Sequence, residues 1–204
     1  MSLRETLERL LERLYAGFNV YAALSFQVWV VALSLDLLVS SLPLGEGLNT
    51  LLEYAYWPVV IMTALIYTVR QWRRYIARLA AEGGVRTLPV WVKILAWLAA
   101  FAASGFLACM IAPVAHLTPT ALPPFTLLVA ITMGVSLMAL FEAMSMRRPG
   151  IATVPAAMLA ALTAAYPPLA ATLPDPWLYT IASILVAYST ATLLYLHATL
   201  RRIA

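Results

Sequence analysis

Residues 94–115 read ILAWLAAFAASGFLACMIAPVA, a run of 22 residues without a charged side chain. A bilayer core of about 30 Å is crossed by roughly 20 mostly apolar residues in α-helix, so this run predicts a transmembrane helix. Comparable runs recur along the chain with short polar breaks between them, and we assign six spans: 18–42, 50–69, 88–111, 124–146, 151–172 and 177–199. The sequence therefore predicts an all-α, polytopic membrane helical bundle.

The composition excludes most classes of soluble protein. Hydrophobic residues make up 63% of the chain and charged residues only 11%, which is wrong for a water-soluble domain. The six spans leave little length for a soluble catalytic domain, so we expect the chain not to be an enzyme. The net charge of +4 does not indicate a nucleic-acid partner, because the basic residues lie in separate clusters rather than in one patch.

The basic residues indicate the topology. All 13 lysine and arginine residues lie before the first span or near alternate span ends. The loops at the opposite ends contain Glu46, His116 and Asp175 but no lysine or arginine. By the positive-inside rule the basic side is the cytoplasm, which predicts a multi-pass protein of the plasma membrane with both termini cytoplasmic.

The first 16 residues differ in character from the rest of the chain. Ser2 and Glu5 have the spacing of a capping box, and leucines then recur on one helical face opposite charged residues. We expect residues 1–16 to form an amphipathic interfacial helix on the membrane surface, followed by a transmembrane domain at residues 17–204. A soluble helix that packs on a partner protein is the alternative.

The fifth span is irregular. It carries stripes of alanine, which permit close helix contacts, followed by Tyr166, Pro167 and Pro168. Because two prolines remove two backbone donors, we expect the helix to stop near Ala165 after about 15 residues, or roughly 22 Å, which is too short to span. The segment from Tyr166 to Trp177 would then be a broken or re-entrant element at the outer face. An ordinary helix with a kink is the alternative.

Few ionisable side chains interrupt the apolar runs, and these are the first candidates for function. A charge at the bilayer centre costs about 2.5–3.5 kcal/mol on insertion scales. Asp36 and Glu53 belong to the outer half of the first two spans, and Glu142 belongs to the inner end of the fourth. A purely structural explanation pairs Glu142 with Arg147 or Arg148 and places the other two acids in a hydrated outer crevice.

The sequence predicts no catalytic residue, no metal and no cofactor. There is no glycine-rich phosphate loop ending in Gly-Lys-Ser/Thr, and the only lysine, Lys93, sits among apolar residues. His116 and His197 belong to opposite sides of the membrane in this topology, so they cannot hold one metal ion or one haem. Cys109 is the only cysteine, which excludes an internal disulfide and a cysteine cluster.

The order of several segments resembles one protein family. The surface helix at residues 2–15, the stretch YWPVVIM at 56–62, the stretch RLAAEGGVRTLPV at 78–90 and the stretch LPDPWL at 173–178 follow one another in the family's order. The family is that of the membrane subunits of type-2 ATP-binding-cassette exporters, including haem-exporter-like permeases. The chain departs from it at Val59, where the family often has glycine, and in a shorter connection after the second span.

This resemblance implies a permease subunit in a homodimer or heterodimer, driven by a separate ATP-binding-cassette ATPase and surrounded by membrane lipid. The ATPase would engage the cytoplasmic connection at residues 70–87. The coupling residues would be Arg78, Glu82, Gly83, Gly84 and Arg86. The pathway residues would be Gln27, Asp36 and Glu53, with Tyr166, Pro167 and Pro168 as an outer gate.

Two other classes of function fit the same residues. A small ion channel or proton-coupled carrier would use Asp36 and Glu53 and would need no ATPase. A scaffold subunit of a larger membrane complex would use the alanine stripes of the fifth span, including Ala160 and Ala164, to contact other helices.

Overall fold

The described part of the chain is helical throughout. A computed structural model describes residues 3–41, 46–81, 89–146 and 150–203, and within these ranges it contains α-helices and no strand. The helices are α1 Leu3–Ser40, α2 Glu46–Ala81, α3 Val90–Val114, α4 Leu122–Met146, α5 Thr153–Ala170 and α6 Pro176–Ile203. The all-α class is confirmed.

Five helices in the described residues are long and apolar enough to cross a membrane. These segments are Tyr15–Val39, Trp91–Val114, Leu122–Met144, Thr153–Ala170 and Pro176–Arg201. The chain is therefore compatible with a multi-pass helical membrane protein. Helix α2 is not in this set, so its role as a sixth span, and with it the cytoplasmic position of both termini, stays a prediction.

Helix α1 is longer than one membrane crossing requires. It runs without interruption for 38 residues from Leu3 to Ser40, which corresponds to about 57 Å, whereas the bilayer core is about 30 Å. The boundary that we placed after residue 16 is therefore not marked by a break in the helix. Whether the first turns lie on the membrane surface stays a prediction.

Helix α5 corrects one expectation. It is continuous for 18 residues from Thr153 to Ala170, with both prolines inside it, so the expected stop near Ala165 is wrong. At 1.5 Å per residue it measures about 27 Å. Both prolines lie in the last turn of the helix, so the carbonyl oxygens that lose a backbone donor are those of Thr163 and Ala164. The Tyr179 hydroxyl on α6 donates to the carbonyl oxygen of the preceding residue, Leu162, at 3.0 Å.

The chain divides into two compact units, and the first comprises Met1–Gly84 and Thr192–Ala204. In it α1 packs against α2, and the end of α6 lies against another face of α1. The Thr192 hydroxyl donates to the carbonyl oxygen of Ala23 at 3.4 Å, and the Thr199 hydroxyl donates to that of Ala16 at 3.5 Å. These hydroxyl bonds fix the end of α6 beside the first half of α1.

Two contacts set the register of α1 against α2. The rings of Tyr21 and Tyr67 stack with centroids 6.1 Å apart. Eleven residues later in α1 and eleven residues earlier in α2, the Tyr56 hydroxyl donates to the carbonyl oxygen of Ala32 at 2.6 Å. Both contacts give the same antiparallel register, in which residue 36 of α1 is level with residue 52 of α2.

The second unit, Val85–Ala191, is built around α4. Helix α4 packs against α3 on one side and α5 on the other. The α3 contact uses small buried residues four apart, Ala100, Ser104 and Ala108, which let two helices approach closely. At Gly134 the approach is so close that a Cβ would collide with the Trp97 ring. Glycine at this position of α4 is therefore a packing requirement.

Large apolar side chains cover the outside of this unit. On α3, Leu98 is 60% exposed and Phe106 is 69% exposed. In water such a surface would mark a binding site or an aggregation hazard, but in a bilayer lipid chains surround it. The burial pattern thus agrees with the composition in making lipid the solvent of this protein.

Candidate functional site

An acid and a tyrosine meet in the hairpin of α1 and α2. Tyr56 donates its hydroxyl to Ala32, one turn before Asp36, and it lies close enough to Asp36 for the carboxylate to act on it electrostatically. Both side chains are half-buried. The register places Glu53 of α2 at nearly the same level as Asp36, although the Glu53 side chain lies outside the described part of the chain.

The third predicted pathway residue lies elsewhere on α1. Gln27 is nine residues before Asp36, a separation of about 14 Å along the helix axis, and its side chain is exposed. The structure therefore brings Asp36 and Glu53 to one level of the hairpin and leaves Gln27 apart from them.

Lys93 and Glu142 form a charge pair at one end of the second unit. Lys93 lies in the first turn of α3 and Glu142 lies near the end of α4, and the carboxylate attracts the ammonium group across the contact between these helices. Both are half-buried. The first turn of a helix is unfavourable for a cation because the helix dipole is positive there, and burial removes solvent from the ammonium group, so the Glu142 charge offsets only part of these two costs.

The same carboxylate also holds the start of α5. Oε2 of Glu142 accepts the backbone N–H of Ala152, the residue immediately before α5, at 3.2 Å. Gly150 lies directly against this carboxylate, so that a Cβ at Gly150 would collide with it. One carboxylate thus connects α3, α4 and the beginning of α5. A displacement of the start of α5 would move the Glu142 carboxylate and so change its attraction for Lys93 on α3.

This three-helix link was not predicted from the sequence. The sequence suggested a pair between Glu142 and Arg147 or Arg148, and those two arginines lie outside the described residues. A signal was nevertheless present, because the topology places Lys93 and Glu142 at the same inner ends of consecutive spans. Antiparallel neighbours that carry opposite charges at the same depth are expected to pair.

Tyr166, which we expected in an outer gate, is fully buried in the second unit. Its hydroxyl donates to the carbonyl oxygen of Ala121 at 2.8 Å. Its ring stacks on Phe125 at 5.3 Å and meets Tyr179 edge-on at 5.5 Å. Tyr166 on α5 therefore contacts both the start of α4 and the start of α6, and these contacts hold the three helices together in this conformation. Of the two prolines that follow, Pro167 is half-buried and Pro168 is exposed.

A second hydroxyl strengthens the same region. Thr180 on α6, which is fully buried, donates to the carbonyl oxygen of Pro124 on α4 at 3.2 Å. Such side-chain donors to backbone carbonyls are typical of helix contacts inside a membrane. The ends of α4, α5 and α6 around Tyr166 are thus held together by polar contacts as well as by aromatic packing.

His116 has a structural explanation in its backbone. It follows the end of α3 with φ of 52°, in the left-handed region, and Leu117 N–H bonds back to the carbonyl oxygen of Ala112 at 3.0 Å. This is the geometry of a Schellman cap with His116 at the position that glycine usually takes. Among the described residues, no group of three or more His, Cys, Asp or Glu side chains could hold a metal ion.

The predicted coupling residues fall mostly outside the structure. Glu82, Gly83, Gly84 and Arg86 lie outside the described residues, and Arg78 lies in α2 with its side chain outside the described part. Their role therefore stays a prediction.

Comparison with protein-family models, with curated proteins and with solved structures finds no match to this chain.

Proposed function

We propose that this chain is the membrane (permease) subunit of an ATP-driven exporter, coupled to a separate ATP-binding-cassette ATPase through the connection at residues 70–87. The observation that carries the proposal is the length of α2. This helix continues from its apolar part through Arg70 and ends only at Ala81, at the predicted coupling residues.

The extension of α2 is long enough to transmit a mechanical input. From Arg70 to Ala81 it adds about 18 Å of helix beyond the apolar run. A force applied to residues 82–87 would pass along one continuous helix to the level of Tyr67 and Tyr56, where α2 contacts α1. A flexible linker at this place would dissipate the same force.

Helix α1 supports the extension from the side. The register of the two helices, continued in this direction, places residues 7–15 of α1 level with residues 73–81 of α2. In sequence this part of α1 carries both basic and acidic residues, and the extension of α2 carries four arginines and no acidic residue. Such a charged helical hairpin suits contact with a soluble partner at the membrane surface.

The test breaks the extension without touching the apolar runs. Ala77→Pro removes a hydrogen bond and costs about 3 kcal/mol locally in a helix interior, whereas Ala77→Gln keeps a good helix former at the same position. Each variant is purified from its native membranes with its associated ATPase, and ATP hydrolysis and transport are measured after reconstitution. We expect Ala77→Pro to insert normally and to lose coupled hydrolysis, and Ala77→Gln to keep it. Recovery of no ATPase with the unaltered protein, or full coupling in Ala77→Pro, would count against the proposal.

A scaffold subunit is the second candidate, and one observation favours it. Four alanines on α5, Ala157, Ala160, Ala161 and Ala164, are exposed in the structure, so these four are not buried by contacts within the described chain. Replacing Ala160 and Ala164 together by leucine would block a close contact with another helix. Loss of a larger complex with no change in transport would favour the scaffold.

A further inference from the structure

Two arginines lie at one end of the hairpin of α1 and α2 without an acidic partner. Arg13 on α1 and Arg70 on α2 are both exposed. In the described part of the chain, no carboxylate forms an ion pair with either guanidinium group and no polar group forms a hydrogen bond with it. Glu12 is also exposed, but it lies about 100° from Arg13 around the helix axis, on the side of α6. The two positive charges are therefore not neutralised within the described chain.

Both arginines are on the same side of the hairpin. The rings of Tyr21 and Tyr67 mark the contact between α1 and α2. Each residue turns about 100° around a helix axis, so Arg13 lies about 80° from Tyr21. By the same rule Arg70 lies about 60° from Tyr67, in the same rotational sense. A two-fold axis relates the members of an antiparallel helix pair, so offsets of the same sense lie on the same side.

The two arginines also lie at similar depths. The register of the hairpin places residue 18 of α1 level with Arg70, which is five residues, or about 7–8 Å, from the level of Arg13. Axes of packed helices are about 8–10 Å apart. Arg13 comes two residues before the apolar segment Tyr15–Val39, and the headgroup layer on each side of a bilayer core is about 5–8 Å thick. With that segment in the core, both guanidinium groups belong to the headgroup layer and can reach one phosphate.

The same face of the hairpin continues from the arginines as an apolar surface. On each helix, exposed aliphatic side chains lie within about 40° of the arginine around the helix axis. They are Val20, Leu24 and Val31 on α1 and Val59 and Ile66 on α2. We call these five residues, together with Arg13 and Arg70, the hairpin groove. From Arg13 to Val31 the groove measures about 27 Å, which is longer than the roughly 15 Å of one leaflet of the bilayer core.

We propose that the hairpin groove binds an anionic phospholipid, with the phosphate held by Arg13 and Arg70 and an acyl chain lying along the two apolar rows. Arginine is suited to phosphate because its planar guanidinium group donates two parallel hydrogen bonds. Basic residues at the end of an apolar helix attract the headgroups of anionic lipids. A free phosphate ion would use only the guanidinium groups, whereas a phospholipid matches both the charged end and the apolar rows.

The lipid site does not depend on the proposed transport function, since a scaffold subunit would bind the same lipid. It is also separate from the predicted coupling residues. Arg70 is eight residues before Arg78, a separation of about 12 Å along α2. A lipid headgroup at Arg70 therefore leaves the end of the α2 extension accessible to a soluble partner.

Lipid binding to the full-length protein in detergent is measured by native mass spectrometry, with phosphatidylglycerol and phosphatidylcholine added at equal concentrations. The unaltered protein should bind phosphatidylglycerol more tightly. Arg13→Gln and Arg70→Gln should each lower the affinity for phosphatidylglycerol about fivefold, the contribution expected of one basic residue near an anionic lipid surface. Arg70→Lys keeps the charge and should stay within about threefold of the unaltered protein. The proposal is overturned if phosphatidylglycerol is not preferred, or if either glutamine variant binds it as tightly as the unaltered protein does.

Arg201→Gln is the matched control, because it removes the same charge outside the groove. Arg201 is exposed in the same unit and lies about 160° around α6 from Thr199, which faces α1. This variant should keep its affinity for phosphatidylglycerol within about twofold, and an equal loss would show general attraction to positive charge and overturn the proposal. Glycerol phosphate in large excess should not displace the lipid; displacement would identify a site for free phosphate groups and also overturn it. Because no ATPase is present, failure here leaves the coupling test with Ala77→Pro unaffected.

Discussion

Replacing Tyr166 by phenylalanine removes one hydroxyl group from the interior of the second unit and leaves the aromatic ring in place. The carbonyl oxygen of Ala121 receives two donors, the Tyr166 hydroxyl at 2.8 Å and the backbone N–H of Phe125 at 3.2 Å. After the substitution this oxygen keeps the backbone donor. Because no buried group is left without a partner, the free energy of unfolding should fall by about 0.5–1.5 kcal/mol.

Removing the whole side chain should cost more. Tyr166→Ala deletes the stacking contacts with Phe125 and Tyr179 and leaves a cavity at a site with no exposed surface. Truncation of a buried aromatic residue to alanine costs about 3–5 kcal/mol. The two variants together separate the contribution of the hydrogen bond from that of the ring.

The assay is unfolding in mixed micelles with increasing SDS, followed by circular dichroism, with Tyr54→Phe as the matched control because Tyr54 is 78% exposed. Tyr54→Phe should change the free energy of unfolding by less than about 0.5 kcal/mol. The reasoning is refuted if Tyr166→Phe behaves like Tyr54→Phe, or if Tyr166→Ala costs no more than Tyr166→Phe. If Tyr166 is also the outer gate, both Tyr166 variants should leak substrate more than the control does.

Two further predictions concern the polar and backbone features described above. Gly150→Ala should displace the Glu142 carboxylate from Ala152 N–H and lower the free energy of unfolding by about 0.5–2 kcal/mol, the value of a helix cap. In a Glu142→Ala background the same change should cost much less. Equal costs in both backgrounds, measured by thermal unfolding, would contradict the contact between Gly150 and Glu142. His116→Gly should raise the free energy of unfolding by about 0.5–1 kcal/mol because a φ of 52° suits glycine, so an unchanged or lower melting temperature in detergent would show that the cap contributes nothing.

Helix positions followed closely from the sequence. The predicted spans 88–111 and 124–146 correspond to α3 Val90–Val114 and α4 Leu122–Met146. A long uncharged run embedded in a membrane forms an α-helix, because a helix satisfies its backbone donors and acceptors within the segment. Local information is sufficient for this step.

One error came from a local rule applied without regard to position in the helix. The double proline predicted a break near Ala165, but α5 continues to Ala170 with both prolines inside it. Because the prolines lie in the last turn, they remove few of the backbone hydrogen bonds of the helix.

The candidate sites were predicted unevenly. Asp36 and Glu142 were recognised as candidates because ionisable residues in apolar runs are rare. Their partners were not, since Tyr56 lies 20 residues from Asp36, and Lys93 lies on a different helix from Glu142. Only the pairing of helices brings such residues together.

The sequence by itself determined the solvent of this protein, its helical class and the approximate ends of its helices, because these depend on composition and on runs of residues along the chain. The tertiary structure decided that the Glu142 carboxylate on α4 acts on both Lys93 of α3 and the start of α5, that Tyr166 is fully buried between α4 and α6, and that Gln27 is exposed and apart from Asp36. The physical reason is that backbone satisfaction in a membrane is local, whereas the partner of a side chain depends on which helix faces it and in what register.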